Sequence, residues 1–135
     1  MPVRKLLRAF VLINLNLLTL LSVSCSSRVN VGDVVGSYKA VYPFGQSLLV
    51  LRTDRTFTQS VVVAGEPPCS ATGTWSFKER ESKLALHGAL ALDDGFGHLK
   101  KNWRTRVDST SIAVERIWFK VSIEDSSEYP HEKVN

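Results

Sequence analysis

The sequence predicts an all-β domain behind an N-terminal export signal. Three observations carry this reading. Apolar residues recur with period two from Val34 onward, turn-forming residues interrupt them at short intervals, and the positive charge gathers at the start of the chain. At 135 residues there is room for one domain. With 44% hydrophobic and 22% charged residues the composition excludes a disordered tail, a collagen and a polytopic membrane protein. Two cysteines are too few for a disulfide-built miniprotein or a four-cysteine zinc site.

The leader comes first. Arg4, Lys5 and Arg8 are followed by an apolar stretch from Ala9 to Leu21, interrupted by Asn14, Asn16 and Thr19, and then by the small residues Ser22-Val23-Ser24. A charged start, a short apolar core and a small-x-small exit make a secretory signal helix over residues 1–24. The stretch is short for a bilayer-spanning helix, which needs ~20 residues, so an uncleaved signal anchor is the lesser reading. Without the leader the body carries 14 Lys+Arg against 13 Asp+Glu. A nearly neutral exported body argues against nucleic-acid partners.

Cys25 stands directly after the exit. Leu21-Ser22-Val23-Ser24-Cys25 resembles the lipobox of bacterial lipoproteins, in which the cysteine becomes the acylated first residue. Ser22 holds a place where that family prefers Leu, Val or Ile, while Val23 and Ser24 fit. The resemblance implies a membrane anchor through Cys25, with residues 25–33 as a lipid-attached tether. Ordinary cleavage after Ser24 would instead give a soluble secreted or periplasmic protein. Which membrane would hold the anchor stays open.

The body spans residues 34–134. Tyr38, Ala40 and Tyr42 share one face, as do Phe57, Gln59, Val61 and Val63, then Gly73, Trp75 and Phe77, then Ile117, Phe119, Val121 and Ile123. Such alternation suits antiparallel strands with one face on a core and the other in water. Turns are expected at Pro43–Gly45, Asp54-Arg55, Ala64–Pro68, Glu79–Ser82, Asp93–Gly97, Asp108–Ser111 and Asp125–Ser127. Lys83–Leu92 reads either as one strand broken at Gly88 or as a strand followed by a helical turn. About seven or eight short strands joined this way make a small antiparallel meander, closed as a barrel or folded as a sandwich.

Gly36-Ser-Tyr38, Leu49-Val-Leu51, Asp54-Arg-Thr-Phe57, Gly73-Thr-Trp75 and Leu84-Ala-Leu86 follow one another in an order similar to that of the lipocalin-like small bacterial lipoproteins. The closing stretch from Val114 to Ile123 and then Tyr129 to Lys133 resembles their last strands. The family usually has glycine where Arg55 stands, so this turn is either of another type or strained. The resemblance implies a β-barrel-like body at a membrane surface, and it brings no catalytic residues.

Candidate sites follow from residue type. Tyr38, Phe57, Trp75, Phe77 and Phe119 are the aromatic residues that would line a barrel interior, as a cavity wall for a small apolar ligand or simply as core. His87, Asp93, Asp94 and His98 could form the polar cleft of a small envelope enzyme, but their spacing matches no zinc pattern and implies no metal or other cofactor. Cys69 lacks any signature of a nucleophile, and it could pair with Cys25 only if Cys25 is not acylated. Lys100-Lys101-Asn102-Trp103-Arg104-Thr105-Arg106 mixes basic and aromatic residues. Read with period two, it is a strand with Trp103 inside and the arginines in solvent, or a contact for anionic headgroups. The function that fits best is non-enzymatic binding by a monomer at the cell envelope, of a small apolar ligand or of a protein on the rim, where an exposed apolar patch around Trp118 is expected. A structural or protein-inhibitor lipoprotein is the other non-enzymatic reading.

Overall fold

A computed structural model of the chain describes residues 28–113, 120–121 and 129–134. The leader, Cys25, Trp118 and Phe119 lie outside these residues. A four-residue helix, α1 (Val31–Val34), precedes β1 (Gly36–Tyr42), β2 (Gly45–Leu51), β3 (Thr56–Val63), β4 (Cys69–Lys78), β5 (Lys83–Leu90), β6 (Arg106–Ala113), β7 (Lys120–Val121) and β8 (His131–Val134). These strands form one sheet in the order β6-β5-β4-β3-β2-β1-β8-β7, and every pair is antiparallel. The first six strands are a plain meander. β8 returns to the open side of β1 and β7 lies beyond it. The fold is therefore all-β. Among the described residues no ladder joins β6 to β7, so the sheet described is open.

Period two decides which face is buried. Tyr38, Ala40 and Tyr42 of β1 are buried while Lys39 and Val41 are exposed, and Leu49 and Leu51, Phe57 and Val61, and Trp75 follow the same alternation. Among the described residues the one helix is four residues long, so this face is covered by the packing of its own side chains and by the segments at its two ends. Phe57 lies across the strand pair: a Cβ added at Gly73 would meet its ring at 2.7 Å. Glycine at 73 thus leaves room both for that ring and for the His87 carbonyl of β5, which such a Cβ would meet more closely still.

One expected turn is a strand instead, and the ambiguous stretch after Lys83 takes the first of its two readings. Asp108–Ser111 is not a turn, because β6 runs through it from Arg106 to Ala113. Lys83–Leu90 is one strand with a break at Gly88, whose φ is +89°. The β5–β6 register shifts between His87 and Ala89, and the Gly88 N–H is taken by the Asp108 carboxylate at 3.0 Å. The bulge turns β5 away from β4, whose pairing with it ends at His87.

The Arg55 turn is the strained alternative. Arg55 has φ +68°, a conformation that costs a non-glycine residue roughly 1–2 kcal/mol. Its guanidinium stacks on the Trp75 ring at 4.5 Å from the centroid, and its carbonyl accepts the Trp75 backbone N–H at 2.8 Å. Asp54 supports the turn from the other side by accepting the Thr56 N–H at 3.0 Å. The Thr56 hydroxyl also donates to Asp54 at 2.6 Å, and this bond, ahead of the N–H, holds the Asp54 carboxyl below the usual range.

The two ends of the sheet are finished differently. At the helix end, Val29 and Val34 are buried on Tyr38, Leu49, Leu51, Phe57, Trp75, Leu84 and Leu86, so packing already begins within residues 25–33. The Asp33 carboxylate accepts the Asn30 N–H at 2.9 Å, Lys133 of β8 donates to the Asp33 carbonyl at 2.6 Å, and the Val31 N–H reaches Glu79 at 3.3 Å. At the loop end, Ala40, Val61, Val63 and Ala71 are small and pack beside Tyr42 and Leu90. Leu92 and Trp103, from the segment after β5, fill the space over them.

Candidate functional site

The interior aromatic residues are tied down by their polar tips. The Trp75 indole N–H donates to the carbonyls of Arg52 and Thr56 at 3.0 and 3.1 Å. The Tyr38 hydroxyl donates to the Val34 carbonyl, and burial pushes its pKa up to about 12. Tyr38, Phe57 and Trp75 are buried in one apolar cluster, with Phe77 half-buried at its edge. Phe119, the fifth residue of this group, lies outside the described residues.

A polar chain crosses the middle of the same face. Gln59 stands on β3 opposite the small Ala71, so its side chain passes over β4 to the displaced part of β5. Its Oε1 accepts the Leu90 N–H at 2.7 Å, and its Nε2 donates to the Leu90 carbonyl at 2.9 Å and to Ser47 Oγ at 3.1 Å. His131 Nε2 is 2.9 Å from the same Ser47 oxygen. All three side chains are fully buried. The Gln59 amide replaces a strand: it satisfies both backbone groups of a residue that the Gly88 bulge has pulled out of reach of β4. Sequence reading placed Gln59 on the inner face and gave it no role. A polar residue between Phe57 and Val61 was the available signal. Enclosed with Gln59, Ser47 and His131 act as structural partners.

The four residues of the polar-cleft reading separate into two places. His87 on β5 lies 3.7 Å from Asp108 on β6, on the outer face. His98 Nδ1 lies 3.3 Å from Asp94 in the loop after β5. That loop is built by its aspartates. Asp93, buried, accepts the N–H groups of Gly95 and Gly97 at 3.1 and 3.0 Å, and Asp94 accepts those of Phe96 and His98 at 2.8 and 3.1 Å. The Phe96 N–H foremost holds the Asp94 carboxyl below the ordinary range. Positive φ at Gly95 and Gly97, +90° and +80°, lets the chain wrap both carboxylates. At the tip, the Phe96 side chain is 83% exposed. This residue was missed in sequence, where Gly-Phe-Gly reads only as a turn.

The basic stretch is a set of turns, with β6 starting at Arg106. The Trp103 N–H bonds to the Lys100 carbonyl and the Thr105 N–H to that of Asn102. Trp103 is buried, as its place in the pattern suggested. Arg104 stacks on its ring at 4.3 Å and donates to Glu66 at 2.8 Å and to the Pro67 carbonyl at 3.2 Å. The guanidinium clips two loops together and is largely committed to that task. Cys69 is half-buried at the start of β4 and joins no disulfide among the described residues. Among those residues no three His, Cys, Asp or Glu side chains gather to hold a metal ion, and no helix is long and apolar enough to cross a membrane.

Comparison with protein-family models, curated proteins and solved structures finds no match to this chain. Chemistry at the site has to be argued from its own geometry.

Proposed function

We propose that this is an exported cell-envelope protein, held by an acylated Cys25, whose lipocalin-like barrel binds a protein partner through its surface and catalyses no reaction. The single observation that carries the surface reading is Phe96, an exposed aromatic ring on a loop pinned by four N–H bonds to two carboxylates. A rigid aromatic tip loses little entropy on docking, which is why such residues anchor interfaces. The backbone-tied Tyr38 and Trp75 and the close Phe57–Gly73 contact favour the surface over the interior. Barrel closure, with β6 reaching β7, would remove both sheet edges.

Anchoring would orient the body. Cys25 lies four residues before the buried Val29, a reach of ~14 Å. The helix end would stay near the bilayer, and the loop end would stand a strand length away, ~25 Å for eight residues. Intact and native mass spectrometry of full-length protein from bacterial membranes tests the reading. The expected species is an acylated Cys25 chain without a co-purifying small molecule. A stoichiometric apolar ligand would move the function inside. A mature chain with unmodified Cys25 would leave a soluble secreted protein.

A further inference from the structure

Two surface features of the described residues serve no purpose within one copy of the chain. The first is Phe96. The second is a shallow depression of about 300 Å³ on the outer face of β1–β3, lined by Lys39, Gln46, Ser47, Leu48, Ser60 and Val62. Leu48 and Val62 on its walls are 41% and 47% exposed. The depression exists because Ser60, a small residue, sits between larger neighbours on the pleated surface: it pairs with Leu48 on β2 and lies two residues from Val62 on its own strand.

We propose that the Phe96 ring of one copy docks in this depression on a second copy, so that the chain self-associates head to tail. This rests on the surface-binding reading above and names its partner. Size and charge support the match. The depression has the volume of one aromatic side chain and presents the exposed Leu48 and Val62 to it. Asp94 lies two residues from Phe96 and is held ionised by the loop, while Lys39 stands at the depression with its ammonium exposed. Seating the ring would bring the carboxylate toward that ammonium, and a steered opposite-charge contact sets the register of an interface. The same carboxylate would be repelled by anionic headgroups, which disfavours a lipid surface as the occupant.

Position supports it too. Gln46 follows the β1–β2 turn directly and pairs with Val62, so the depression opens near the loop end, the end that carries Phe96. Two copies standing side by side on one membrane would have ring and depression at similar heights. Each copy has one of each, so the contact is heterologous and propagates into rings or rows.

Photo-crosslinking of full-length protein in bacterial membranes, with a benzophenone amino acid in place of Phe96, tests this. The expected product is a ladder at multiples of the chain mass whose crosslinked peptide falls within residues 39–62. Leu48→Glu, which places a charge in the depression, should abolish the ladder. Lys39→Glu, which sets like charges opposite each other, should reduce it about tenfold. Circular dichroism checks that both variants keep the sheet. A ladder that persists in Leu48→Glu, an adduct elsewhere on the chain, or no adduct overturns self-docking. An adduct with a different protein or with lipid also overturns it; the different protein would leave the surface-binding reading standing.

Discussion

The helix end and the loop end of this sheet bury the same face by opposite means. At the helix end large side chains from five strands meet one another: Tyr38, Leu49, Leu51, Phe57, Trp75, Leu84 and Leu86 pack together, with Val29 and Val34 buried on them and Val31 and Val35 alongside. At the loop end the strands bring mostly small residues, Ala40, Val61, Val63 and Ala71, beside Tyr42 and Leu90, and Leu92 and Trp103 from the following segment add bulk over them. Between them lies the Leu90–Gln59–Ser47–His131 chain of hydrogen bonds. The difference teaches where surface function can sit. An end packed by its own strands gains nothing from a long loop, whereas an end that borrows bulk from a loop must expose the rest of that loop, and here the exposed part carries Phe96.

The strongest way to break the comparison is to empty the helix end. Phe57→Ala or Trp75→Ala should cost ~3–5 kcal/mol each and lower Tm by more than about 10 °C in a domain of this size. Both losses should appear as a cooperative shift of the whole transition. Trp103→Ala removes a comparable ring at the loop end. There, hydrogen exchange should show the loss first in the segment after β5. If Trp103→Ala instead shifts the global transition as far as Trp75→Ala while local exchange is unchanged, the two ends are one unit.

The second test cuts the link between the ends. Gln59→Leu keeps the approximate volume but strands the buried Leu90 N–H and carbonyl, at about 1–3 kcal/mol for each orphaned group. A total of about 2–6 kcal/mol is expected, with the Leu90 amide losing its exchange protection. Unchanged protection at Leu90 would mean that water or another group satisfies it and that Gln59 does not act as a substitute strand.

These two tests also separate what could be read from sequence from what could not. Tyr38, Phe57 and Trp75 were legible as inner-face residues because period two is a local property of the strand. The strand through Asp108–Ser111 was not, because Asp and Ser favour turns on their own and only pairing with β5 overrides them. Gln59's partner is 31 residues away and is created by a bulge, so no window around Gln59 contains the reason for it. The Asp93–His98 loop shows the same limit. Its carboxylates were read as a possible cleft, yet they first serve to hold the loop's own N–H groups, and the large apolar side chain the loop exposes is an aromatic that propensity assigns to a core.

The third test uses pH on the helix end. Burial raises the Tyr38 pKa to about 12, whereas an unfolded tyrosine ionises near ~10. Folding favours the neutral phenol, so its contribution is fully present below about pH 10 and is lost as the pH rises toward 12. Tyr38→Phe should cost about 1 kcal/mol at neutral pH, from the lost hydrogen bond to Val34. It should also flatten the alkaline fall in stability measured by denaturant titration at pH 9, 10 and 11. An alkaline slope equal to that of the parent would place the ionising group elsewhere.

The smallest expected effect lies in the Arg55 turn, where strain and stacking oppose each other. Arg55→Gly removes the left-handed penalty, roughly 1–2 kcal/mol, but it also removes the stacking on Trp75, worth about 0.5–1 kcal/mol at an exposed site. Glycine further loses about 0.5–1 kcal/mol through its freer unfolded chain. The three nearly cancel, so Arg55→Gly should lie within about 0.5 kcal/mol of the parent. Arg55→Ala keeps the strain and loses the stacking, and should be less stable than Arg55→Gly by about 0.5–1 kcal/mol. The order of the two variants in denaturant melts is therefore more informative than either value. Alanine equal to or above glycine would mean that the φ of +68° at this position stores no strain, and that the guanidinium on Trp75 is the whole reason an arginine is tolerated in the turn.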